Sequence, residues 1–128
     1  MKLKSLGIMF LILTTLLFVG CRTAPIYDVS DAGIPAQNAT IDDIGRAIIT
    51  AGGSLGWVMK KEKPGHIVGT LNLRTHTAIV DIRYDTSKYS ITYKDSTNLQ
   101  YDGTNIHSNY NGWIKNLSTA INNQIANI

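Results

Sequence analysis

Cysteine is almost absent from this 128-residue chain: there is one, Cys21. An internal disulfide is therefore excluded, and so is a structural zinc site built on several thiolates. Proline is scarce too, with Pro25, Pro35 and Pro64 the only three, so no proline interrupts residues 65–128. Charge is low at 16% of residues, and the formal net charge of +3 overstates the basicity. Lys2 and Lys4 lie in an N-terminal leader, and residues after 20 carry ten basic against nine acidic side chains. That balance is no electrostatic footprint for nucleic acid or for generalised binding to anionic lipid. Long apolar runs are missing except for residues 6–19, fourteen residues with Thr14 and Thr15 inside. A spanning helix needs ~20 apolar residues for ~30 Å of hydrocarbon, so this run is short for a transmembrane anchor.

What is present at the N-terminus has the three parts of a secretory signal: cationic Lys2 and Lys4, an apolar segment, and small residues at its end. The end reads Phe18-Val19-Gly20-Cys21. It resembles a bacterial lipobox, in which a small residue precedes a cysteine that becomes lipidated and leads the mature chain; Phe18 departs from the usual aliphatic residue. The resemblance implies a diacylglyceryl thioether on Cys21 and an additional N-acyl chain. Arg22 in place of an acidic residue after the cysteine points, by the same resemblance, to the outer membrane facing the periplasm. Residues 1–20 are thus expected to be a signal peptide, and the 108 residues after them are one domain in size.

Residues 22–39 hold Pro25, Gly33 and Pro35 among small polar residues and show no periodicity. They are expected to act with Cys21 as a flexible tether over 21–39, reaching ~60 Å extended and averaging ~23 Å as a coil. A first helix is expected over 40–51. Thr40 caps it, Asp43 three residues on completes a short-armed capping box, and Ile41, Ile44, Ile48 and Ala51 share one face. Gly52-Gly53 then ends it.

Four strands follow, at 57–62, 67–74, 77–84 and 89–95. Pro64-Gly65 suits a tight turn between the first two. Alternation puts Ile67, Gly69, Leu71 and Leu73 on one face, Ala78, Val80, Ile82 and Tyr84 on the next strand's equivalent face, and Tyr89, Ile91 and Tyr93 on the last. Directly paired residues must point to the same side, so parity tests the register. Across the loop 85–88, Tyr84 should face Tyr89, Ile82 face Ile91 and Val80 face Tyr93. Between 67–74 and 77–84 the loop must hold an even number of residues, and Arg74-Thr75 is the shortest candidate.

Residues 96–105 are polar and irregular. A last helix is expected over 108–126, with Tyr110, Trp113, Ile114, Leu117, Ile121 and Ile125 as its apolar stripe. The fold class is therefore α+β over 40–128: a four-stranded antiparallel meander with the N- and C-terminal helices packed on one face.

Taken together, Gly56-Trp57, Pro64-Gly65-His66-Ile67, Leu73-Arg74-Thr75-His76, Tyr89-Ser90-Ile91-Thr92-Tyr93, Asn98-Leu99-Gln100-Tyr101, and Ile106-His107 followed by Tyr110-Asn111-Gly112-Trp113-Ile114 make the chain resemble a family of small, uncharacterised bacterial lipoproteins with a periplasmic α-β4-α domain. The resemblance covers 39–128 and implies an address and a fold, with no catalytic residues to carry over.

Chemistry is sparse. Lipidation consumes Cys21, the strongest nucleophile. His66, His76 and His107 stand far apart without metal-ligand spacing. Asp81, Asp85 and Asp95 fall on outward or turn positions, and Gly52-Gly53 follows a helix rather than opening one, so no phosphate loop is formed. Lys60, Lys61 and Lys63 read as protection of a strand edge. The richest stretch is 98–113, and its candidate ligand-binding residues are Asn98, Tyr101, His107, Tyr110 and Asn111. No catalytic residue, metal or cofactor is expected. The expected function is non-enzymatic: an envelope lipoprotein that binds a protein partner, with a peptidoglycan or other cell-wall glycan as the alternative ligand.

Overall fold

A computed structural model describes residues 22–128. The expected signal peptide and Cys21 lie outside the described residues. The α+β class is as expected: two helices and a five-stranded antiparallel sheet, with a further two-stranded sheet.

The first helix, α1 (Ile41–Ser54), begins at Thr40, whose side chain accepts from the Asp43 N–H while Asp43 accepts from the Thr40 N–H, closing the capping box. It runs three residues beyond the expected end. Gly52 and Gly53 are helical, and the left-handed residue is Gly56, at φ 87°. Gly52 and Gly45 are buried. A Cβ on Gly45 would stand 2.6 Å from the Tyr84 hydroxyl, so glycine there is what lets the sheet approach the helix.

The four expected strands are present as β3 (Val58–Lys63), β4 (His66–Leu73), β5 (His76–Tyr84) and β6 (Lys88–Thr97). The pairs Tyr84–Tyr89, Ile82–Ile91 and Val80–Tyr93 are those that parity requires. Leu73 pairs with His76, so Arg74-Thr75 is the whole turn, and Arg74 takes φ 57° to close it. Gly65, at φ 89°, turns the β3–β4 hairpin.

The strand count differs from expectation. The segment expected to be a flexible tether holds β1 (Thr23–Pro25) and β2 (Val29–Gly33). The former pairs with β7 (Asn105–His107), a strand that begins at the last residue of the stretch expected to be irregular and that the sequence reading did not include. The latter pairs with β6, giving the order β2-β6-β5-β4-β3. Without β2, β6 would be a sheet edge with open N–H and C=O groups over the buried Tyr89 and Ile91. Val29 and Ile34 are buried in covering it, and the pairing shifts register near Asp31, at φ 52°. Such short, irregular strands carry no period to read.

The last helix, α2 (Ser108–Ala126), has the expected limits, and Tyr110, Ile114, Leu117, Ile121 and Ile125 are buried. The two helices pack side by side on one face of the sheet, over Ile67, Leu71, Ala78, Val80, Ile82, Tyr84, Tyr89 and Ile91. Tyr89 ties the sheet to α2: its hydroxyl donates to Asn122 Oδ1 at 2.7 Å and lies 2.7 Å from Ser118 Oγ.

Three carboxylates close turns or caps on backbone donors. The N–H of Thr40 bonds Asp43, those of Ser87 and Lys88 bond Asp85, and those of Asn105 and Thr104 bond Asp102. These donors hold all three below the usual carboxylate range. A carboxylate depressed on folding contributes stability that is complete above its unfolded value and lost as pH falls through its folded value. The urea-denaturation midpoint should therefore fall as pH is lowered through and below the ordinary carboxylate range. Changing all three to asparagine should weaken that acid dependence.

Candidate functional site

The stretch 98–113 does not converge on a common space; it wraps one end of the domain. Asn98 sits at φ 59° just past β6 and donates through its amide to Thr75 Oγ1 at 2.9 Å. Its carbonyl accepts from His76 Nδ1 at 2.7 Å, which puts the His76 proton on Nδ1. His107 is the N-cap of α2, and its Nδ1 accepts from the Asn109 N–H at 3.2 Å. A proton on the neutral His107 ring is then on Nε2. The two rings lie 6.2 Å apart, so residues 31 positions apart in the chain are neighbours in space. Among the described residues there is no group of three or more His, Cys, Asp or Glu side chains placed to hold a metal ion.

Asn111 serves the fold. Its Oδ1 accepts from the Tyr27 N–H and its Nδ2 donates to the Pro25 carbonyl, both at 2.9 Å. One amide thus satisfies the backbone between β1 and β2, and Lys115 adds its ammonium 5.2 Å above the Tyr27 ring. Tyr110 is fully buried, and its ring meets Tyr93 edge-on at 5.9 Å. Tyr101 is the exposed aromatic of the set, at 40%, stacked on Tyr93 at 4.0 Å; Asn98 is exposed as well. Of the five candidates, then, Tyr101 offers an open aromatic face, and the other four make contacts within the domain.

The Tyr110 hydroxyl has no hydrogen-bond partner among the described residues, and burial pushes its pKa upward. An orphaned buried hydroxyl costs about 1–3 kcal/mol. Tyr110→Phe is therefore expected to raise stability by about 1 kcal/mol in urea denaturation, with the sheet and helices unchanged.

A different surface stands out on the sheet. Both helices cover one face; among the described residues no helix lies on the other. Register brings Val58, Thr70 and Ile79 into one row across this open face, and Lys60, Val68, Asp81 and Thr92 into the next. Val58 is 66% exposed. His66 lies two residues along β4 from the direct partner of Asp81, and its Nε2 stands 2.7 Å from Asp81 Oδ1 with both side chains mostly covered. Lys94 approaches the same carboxylate at 3.8 Å. With Arg74-Thr75 as the whole turn, Val68 opposes Asp81, and His66 becomes its diagonal neighbour, a pair that the sequence reading did not name.

Recesses lie elsewhere on the domain. One, of about 340 Å³, opens at the far end of the sheet between Asp31, Arg83, Asp85, Lys88 and Ser90, where Lys88 reaches Asp31 at 3.7 Å. A smaller one, of about 80 Å³, lies on the helix side between Leu55, Trp57, Leu71, Trp113 and Asn116. No helix among the described residues is long and apolar enough to cross a membrane. No protein-family model matches the chain, and neither a curated protein nor a solved structure does.

Proposed function

We propose that this chain is a lipid-anchored protein of the bacterial envelope, carried on Cys21 at the periplasmic side of the outer membrane, and that its domain is a non-enzymatic module that docks a protein partner. The anchored address rests on residues 6–21: a cationic start, a short apolar run and Gly20-Cys21. One observation carries the docking role. The uncovered sheet face sets Val58, Thr70, Ile79 and Asp95 in one row and Lys60, Val68, Asp81 and Thr92 in the next, so β-branched side chains alternate with charges, and His66 and Lys94 converge on Asp81. A rigid face that mixes apolar contact area with fixed charges suits docking of a protein surface.

Crosslinking in intact envelopes tests this. A partner captured by the wild-type chain and by Thr86→Lys, but reduced about tenfold by Ile79→Lys or Val68→Lys, supports docking on this face; tenfold corresponds to about 1.4 kcal/mol. Equal capture by all four chains overturns it. The competing ligand is a cell-wall glycan, for which Tyr101 stacked on Tyr93 supplies an aromatic platform. Sedimentation with purified sacculi that is lost in Tyr101→Ala and kept in Ile79→Lys would favour the glycan.

A further inference from the structure

We infer that the domain lies directly on the membrane in one orientation, with the end built from Arg22, the Arg74-Thr75 turn and the start of α2 against the phosphate headgroups. This rests on the reading of Cys21 as the lipidated residue.

The first argument is the length of chain between anchor and fold. The Arg22 carbonyl accepts from the Ser108 N–H at 2.7 Å, and Thr23 is already paired with His107. Consecutive Cα atoms are about 3.8 Å apart, so a lipid on Cys21 emerges one peptide away from backbone that is fixed to α2. A coil of eighteen residues would let the domain wander by ~23 Å and turn freely. Here the slack is a single residue, and Asn111 clamps the following segment through Pro25 and Tyr27. The lipid exit is therefore a defined point on the surface of the domain.

The second argument is what surrounds that point. The hydrogen bonds from His76 to the Asn98 carbonyl and from Asn98 to Thr75, with the His76–His107 contact, gather the β4–β5 turn and the start of α2 around Arg22. Arg22 and Arg74 are both exposed there, and α2 has no acidic residue in its first turn. The two nearby carboxylates in sequence are engaged with their own backbone: Asp95 accepts from Ser96, and Asp102 from Thr104 and Asn105. Leu73, 45% exposed, adds an apolar side chain beside the turn. Guanidinium groups at a membrane surface are drawn to lipid phosphate, by about 1 kcal/mol each on an anionic leaflet. Arg22 and Arg74 thus set two guanidinium groups beside the lipid exit. The opposite end, ~26 Å away along β5, carries Arg83 and Lys88 together with Asp31 and Asp85, so the position of the lipid exit, and not a charge difference between the two ends, selects the end that lies against the membrane.

The consequence is geometric. Strands β3–β6 stand up from the bilayer, their hairpin ends at Gly65 and Asp85 point away from it, and the open sheet face is presented sideways to a partner.

Site-directed fluorescence on the lipidated full-length protein tests the orientation. Cys21 is consumed by lipid, so an introduced cysteine takes a thiol-reactive fluorophore alone. Thr75→Cys and Ser108→Cys report the proposed contact end, Thr86→Cys the far end, and circular dichroism checks that each variant folds. In vesicles of phosphatidylethanolamine and phosphatidylglycerol, a nitroxide on the lipid headgroup should quench probes at 75 and 108 several-fold more than the probe at 86. Equal quenching at both ends, or stronger quenching at 86, in a chain that carries labelled palmitate overturns the orientation alone. A wild-type chain that takes up no labelled palmitate overturns the anchored reading, and the orientation with it.

Discussion

Cys21→Ser is expected to abolish lipid attachment, to leave the precursor unprocessed, and to remove labelled palmitate from the chain altogether. The thioether forms on sulfur, and a serine hydroxyl is a far weaker nucleophile near neutral pH than a thiol with its few per cent of thiolate. Cys21 is the only cysteine, so no second thiol substitutes for it. The energetic consequence is large because each buried CH₂ contributes ~0.8 kcal/mol and two or more chains anchor stably where one holds marginally. The domain should still fold, since its sheet, helices and buried core are built from residues 22–128. The check is palmitate labelling together with fractionation, and undiminished label in the serine variant would refute the assignment.

Removing residues 22–33 is expected to cost about 3–5 kcal/mol of stability relative to residues 22–128. Were this segment a tether, the same deletion would cost nothing. It takes away β1 and β2, the buried Val29, the partly buried Ile26 and Ala32, and the ladder that closes the β6 edge. Tyr89, Ile91 and Ile106 would lose cover, and both Asn111 amide partners would go. A domain of this size is stable by ~5–15 kcal/mol in all, so the shortened chain should unfold at much lower urea and tend to associate through its bared edge. Urea denaturation of the two chains decides between the readings. Equal midpoints would mean that β1 and β2 contribute no stability.

These two experiments probe the two halves of what was legible. The β5–β6 register was readable because a side-chain period of two and a buried face leave one parity for Tyr84 and Tyr89. The α2 stripe was readable because six large apolar residues recur at three- and four-residue spacing over a long element. The helix α1 runs three residues past the end that paired glycines usually mark, since Gly52 is buried against Met59, Gly53 stays helical on the exposed side, and the left-handed residue is Gly56. Among the candidate ligand residues, type was a poor guide to role. Asn111 reads as a hydrogen-bonding surface residue, and its partners are backbone groups more than eighty positions away. Tyr110 lies on the helix stripe, and the stripe proved the stronger signal, because burial is set by helical phase and not by the polarity of a hydroxyl.

By itself, then, the amino-acid order determined the α+β class, the four central strands with the register of β5 on β6, both helices, and the lipobox-like leader that proposes an address. These features depend on periodicity and on local chemistry within a few residues. Only the tertiary structure decided that residues 23–33 are sheet, that His76 meets His107, that His66 pairs with Asp81, and that Arg22 is held against α2. Each of those depends on an edge or a face that exists once the central strands have assembled, since a short strand gains its hydrogen bonds from a partner and has no pattern of its own. The stretch after Cys21 reads as loose chain when taken alone; in the folded protein it closes the sheet and fixes where the chain leading from Cys21 joins the domain.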